Sequence, residues 1–89
     1  MIPDDPRLHA RIQNLLQEYA RSVQIHTDWQ EYSEKQCFEA VEDEFLEFRR
    51  AVMRGDHFGP HGVAAEALQL SVVALKAHLY FSQRQGDPC

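Results

Sequence analysis

The chain has 89 residues, 44% of them hydrophobic and 26% charged, and a formal net charge of −5. That length makes one small domain, residues 1–89, able to bury only a modest share of its surface. The acidic balance argues against nucleic acid as a partner, because such a surface shows a basic patch. The longest apolar-rich segment, Val63 to Phe81, is interrupted by Glu66, Gln69, Ser71, Lys76 and His78 and is too polar to span a membrane.

The opening residues show no basic stretch followed by an apolar run, so no signal peptide is expected. Asp5-Pro6 reads as a helix start, with Asp at the N-cap and Pro at the first helical position. Leu8, Ile12, Leu15, Leu16, Tyr19 and Val23 then recur at helical spacing and predict an amphipathic helix from Pro6 to His26. Arg11, Gln13, Gln17, Glu18 and Arg21 form its wet side, and His9 and His26 read as surface or end-of-helix residues.

Two starts fit the second helix. Thr27 with Gln30 makes one capping box and Ser33 with Gln36 makes another. From either start the helix runs to Arg54 and stops at Gly55. Trp29 and Tyr32 are expected to close one end of the core, and Cys37 to act as a small apolar filler. Asp56 to Gly62, with two glycines and a proline in seven residues, is a turn, and Pro60 is suited to open the next helix. That helix is expected to run to Gln85, where Gly86 and Pro88 end it.

The third helix is apolar on two sides. Val63, Leu70, Ala74, Ala77 and Phe81 form one stripe, and Leu68, Val72, Leu75 and Leu79 form another. Three helices in one chain offer little to cover both, which predicts an all-α helical bundle completed by oligomerisation, a homodimer or homotetramer. Cys37 and Cys89 have no metal-binding spacing with each other or with a histidine, and Cys89, the last residue, is expected to be mobile. A reducing, cytoplasmic setting is the expectation.

The carboxylates carry the chemical signal. Glu44 and Glu47 share a sector of the second helix with Ala40 and Ala51, beside the apolar arc of Cys37, Val41 and Phe48. Glu39, Glu42 and Asp43 lie further toward water, although Leu46 and Met53 share that region. Glu66 has Leu70, Val73 and Ala77 as its helical neighbours. An ionised carboxylate there costs several kcal/mol unless it is compensated. A divalent metal is one compensation; Lys76, Arg49 or Arg50 as ion-pair partners is another.

Glu44-x-x-Glu47, eighteen intervening residues, and Glu66-x-x-Gln69 resemble the helix-pair signature of the MazG-like all-α nucleoside triphosphate pyrophosphohydrolases, ExxE followed by ExxD. Asp43-Glu44-Phe45-Leu46-Glu47 resembles the family's EExxE with Asp43 at its head. The run from Ala65 to Ala74 is similar to short phage-type members, some of which also carry Gln in the fourth position.

The resemblance implies a Mg²⁺-dependent enzyme, with Mn²⁺ able to replace Mg²⁺, that splits a nucleoside triphosphate into the monophosphate and pyrophosphate. It implies Glu44, Glu47, Glu66 and Gln69 as metal ligands and Glu44, Glu47 and Glu66 as catalytic residues. Arg50, Arg54 and Lys76 are candidates for the phosphate tail. His57 and His61 are either phosphate contacts or ordinary loop histidines. Gln69 brings an oxygen but no charge, which weakens the attraction for a cation. Two other readings therefore stand beside the enzyme: a degenerate relative that only binds metal or nucleotide, and a helical interaction module whose acids are solvated or paired.

Overall fold

The structure, a computed structural model, describes residues 4–26 and 33–84. The Thr27–Gln30 capping box, the core-closing role of Trp29 and Tyr32, the expected end at Gln85 with its Gly86 and Pro88 stops, and Cys89 lie outside the described residues. The fold is all-α. Helices α1 (Pro6–His26), α2 (Glu34–Arg54) and α3 (Val63–Arg84) follow one another, with no strand among the described residues.

Helix α1 starts where its sequence directs. The Asp5 carboxylate accepts from the Arg7 amide at 2.9 Å, and the Asp5 carbonyl accepts from the His9 amide at 2.9 Å. Pro6 fills the first helical position, where no amide donor is needed. Of the two candidate starts for α2, the structure has Ser33. Its hydroxyl accepts from the Gln36 amide at 3.1 Å, and the Gln36 side chain accepts from the Ser33 amide at 2.8 Å. Both ends of a capping box are thus closed.

Gly55 ends α2 with φ of 73°, the left-handed region. Its amide donates to the Val52 carbonyl at 3.1 Å and the Asp56 amide donates to the Ala51 carbonyl at 3.3 Å. That pair of bonds is a Schellman closure. The chain then turns on Asp56. Its carboxylate accepts from the Gly59 amide at 3.0 Å, and its carbonyl accepts from the Val63 amide at 2.7 Å. Helix α3 begins at Val63 and not at Pro60. The reason is this closed turn, which holds Pro60 inside it and brings Gly62 against backbone. A Cβ on Gly62 would lie 2.8 Å from the Gly59 nitrogen and 2.9 Å from the Asp56 oxygen.

Helix α3 is the shared element. It packs along α2 and against α1, whereas α1 and α2 do not approach each other among the described residues. Cys37, near the start of α2, clusters with Tyr80, near the end of α3, among Ala40, Val41, Val73, Ala77 and Phe81. With the turn joining the opposite ends, α2 and α3 run antiparallel. On α1, Glu18 meets Gln69 and Ser22 meets Lys76, so α1 runs in the same direction as α3.

One chain therefore covers α3 better than its two apolar stripes suggest. Val72 is buried, Leu68, Leu70 and Leu75 are half-buried, and Ala74 and Leu79 remain exposed. Uncovered apolar area also sits on α1 at Leu8, Ile12 and Leu16, on α2 at Phe38, Phe45, Val52 and Met53, and in the turn at Phe58. Buried apolar side chains among the described residues are few: Cys37, Ala51, Val72 and Tyr80.

The turn is where single substitutions should be felt most sharply. Gly55→Ala forces a Cβ into the left-handed region and costs about 1–2 kcal/mol. Gly62→Ala costs more, because its Cβ meets backbone that cannot step aside. Urea denaturation of the two variants should rank them in that order. A Gly62→Ala variant as stable as the parent would contradict this turn geometry.

Candidate functional site

Glu66 stands in the first turn of α3, where the helix dipole favours a negative charge. Its amide donates to the Gly62 carbonyl at 2.9 Å, so the closed turn fixes where its side chain starts. The residue is only 7% exposed. His61 Nδ1 lies 3.6 Å from Glu66 Oε1, an ion pair only when the imidazole is protonated. Arg54 donates to the His61 carbonyl at 3.0 Å and ties the end of α2 to the same turn.

Glu44 faces this region from α2 and is half-buried. Burial pushes its carboxyl above the ordinary glutamate range, and the negative charges of Glu66, Glu47 and Asp43 push it further the same way. The structure thus brings Glu44 within electrostatic reach of Glu66 across the α2–α3 contact. A half-buried carboxylate beside other negative charges is a place where a proton or a cation relieves repulsion.

The other expected residues turn elsewhere. Glu47 is about half exposed and accepts from the Arg50 guanidinium at 2.7 Å. Gln69 donates its amide to Glu18 of α1 at 3.0 Å. Lys76 is buried and donates to the Ser22 hydroxyl, in the contact between α1 and α3, and its burial lowers its pKa. It sits on the α1 side of α3. Arg50 and Arg54 line an open cleft of about 500 Å³ on α2 with Leu46, Arg49 and Met53, a set that includes neither Glu44 nor Glu66. His57 is exposed in the turn, with its ring 6.1 Å from that of Phe58.

Mg²⁺ keeps several waters and takes one or two protein carboxylates beside the phosphates it bridges. Glu44 and Glu66 suit that donor set. The larger set does not assemble in one chain: among the described residues no group of three or more His, Cys, Asp or Glu is arranged to hold a metal ion. Glu47 is held by Arg50, and Gln69 by Glu18.

Two α1 residues join this neighbourhood although nothing chemical marked them in the sequence. Glu18 takes the Gln69 amide, and Arg21 first, then Gln69, hold its carboxyl below the usual range. Ser22 is buried against Lys76. Their spacing of four, on the polar border of the α1 stripe, was the available signal.

The crowding of Glu44 has a testable sign. A carboxyl raised in the folded state binds its proton more tightly there than in the unfolded chain. Its ionised form therefore lowers stability at neutral pH, and the loss is relieved as pH falls through the folded pKa toward the ordinary value. Glu44→Gln, compared with the parent in chelator, should be more stable near neutral pH by a few tenths to about 1 kcal/mol. That gain should vanish below about pH 4, where the parent's Glu44 is also neutral. Denaturation at the two pH values reads this directly, and a variant less stable than the parent near neutral pH would contradict the crowding.

Comparison of the chain with protein-family models, with curated proteins and with solved structures finds no match.

Proposed function

We propose that the chain is a MazG-like helical domain that hydrolyses a nucleoside triphosphate to the monophosphate and pyrophosphate with the help of Mg²⁺ or Mn²⁺. The observation that carries the reading is the carboxylate pair across α2 and α3, with Glu44 raised by burial and by Glu66. Glu44 and Glu66 are the residues that would hold the cation. A bound divalent cation supplies charge neutralisation for the phosphates and acidifies water. Glu47 lies close enough to the pair to raise Glu44 yet outside the deepest burial, and it is the carboxylate suited to take the proton of the attacking water. Arg50 and Arg54 would take the phosphate tail by leaving Glu47 and the His61 carbonyl, the groups they hold in this structure. No helix among the described residues is long and apolar enough to cross a membrane, and the reading places the reaction in the cytoplasm.

The same geometry favours one second reading. Gln69 adds no charge and is engaged by Glu18, so a relative that binds cation and nucleotide without turnover retains the Glu44–Glu66 pair and lacks the rest.

Pyrophosphate release from a panel of ribo- and deoxyribonucleoside triphosphates, run beside a thermal-shift scan with Mg²⁺, separates the two. The enzyme reading expects metal-dependent turnover. Glu66→Gln should lose both turnover and the Mg²⁺-induced rise in Tm, a rise worth about 2.7 kcal/mol at a hundred times the Kd. Glu47→Gln should keep the Tm response and lose about 10²- to 10⁴-fold in rate. A Tm response without turnover on any substrate selects the second reading, and neither response removes both.

A further inference from the structure

Helix α2 carries an apolar row that the described chain does not cover. Phe38, Phe45 and Val52 follow one another at seven-residue steps and are 64%, 49% and 50% exposed. A seven-residue step keeps them in one line along the helix. Val41 and Phe48 stand between that line and α3; both are half-buried, and Val41 packs on the Cys37–Tyr80 core. The five residues together follow the alternating three- and four-residue spacing of a helix-pairing seam. The inner members already serve the core, and the outer members stand in water. Exposed aromatic rows of this kind mark contact surfaces.

We propose that this row is the contact between two copies of the chain, α2 against α2, antiparallel about a two-fold axis at Phe45. Two features select a second copy as the occupant. The first is symmetry: Phe38 and Val52 are equidistant from Phe45, so the axis sets Phe38 of one copy against Val52 of the other and each Phe45 against its own image. A surface complementary to itself closes as a dimer and stops. The second is charge. Glu42 and Arg49 border the row on the same side, three residues before Phe45 and four after it. Both are exposed, and among the described residues neither has an ion-pair partner within its own chain. The antiparallel axis places Glu42 of each copy opposite Arg49 of the other. A parallel arrangement puts Glu42 level with Glu42 and Arg49 level with Arg49. The row is continuous with the α2–α3 core, so pairing extends that core across the axis. Leu8, Ile12 and Leu16 on α1 are also uncovered, but nothing there says what covers them.

The pairing does not rest on the nucleotide reading, and its test does not use activity. Sedimentation equilibrium on the full chain compares the parent, Phe45→Glu, Arg49→Glu and the swap Glu42→Arg with Arg49→Glu, each checked for helix content by circular dichroism. The parent should be a concentration-dependent dimer and Phe45→Glu a monomer. Arg49→Glu should associate at least about tenfold more weakly, because it sets like charges across the axis. The swap should return to within about threefold of the parent, which excludes lost folding as the cause of the weakening. A parent that stays monomeric at the highest concentration reached would overturn the proposal. So would an Arg49→Glu variant that pairs as tightly as the parent, or a swap that fails to recover.

Discussion

One helix has to serve two neighbours, and the rest of the structure follows from that. Helix α3 meets α1 on one flank and α2 on the adjoining one, while α1 and α2 stay apart. Among the described residues, Glu66 and Lys76 are the charged side chains that this arrangement buries. A buried charge costs several kcal/mol without compensation, so each must find its answer on its own side. Lys76 finds the Ser22 hydroxyl of α1. Glu66 has the turn histidine His61 at its edge and the carboxylate of Glu44 near by, which adds repulsion where relief is needed. The α1 side of α3 is therefore closed by hydrogen bonds, and the α2 side retains an electrostatic demand.

The turn between α2 and α3 makes that demand possible. The left-handed Gly55, the Asp56 bonds and the tight approach at Gly62 bring the chain back on itself within a few residues. Glu66 is thereby delivered at the first turn of α3, buried, against a helix already rich in acids. A looser connection would let Glu66 rotate to water. The position of the carboxylate is a consequence of backbone geometry before it is a matter of chemistry.

Much of this was legible in the residues. Asp5-Pro6, Gly55 and the apolar periodicity placed the helices, because caps and repeats are local signals. The choice between Thr27 and Ser33 was not, since both satisfy the same capping pattern and only the chain path decides. Pro60 misled as a helix start because its fixed φ suits a turn as well as a first helical residue. The burial of Glu66 could be read from its apolar neighbours. The outward turn of Glu47 could not: periodicity placed it beside Ala51, but an exposed arginine three residues on competes for it. The contact of α1 was hidden for a related reason. Its apolar stripe suggested the docking face, whereas Glu18 and Ser22 on the border of the stripe make the hydrogen bonds to α3.

A resemblance that implies four oxygen ligands meets a chain that gathers two of them. Glu44 lies within electrostatic reach of the buried Glu66, and the proposed function stands or falls with that pair being a place for a cation. Carbon-detected NMR titration of the Glu44 side-chain carboxyl, with and without Mg²⁺, tests that most directly. The expected result is a pKa above the ordinary glutamate range in chelator, brought down when Mg²⁺ is added, with Glu66→Gln removing the Mg²⁺ effect. A Glu44 that titrates in the ordinary range and ignores Mg²⁺ would contradict it.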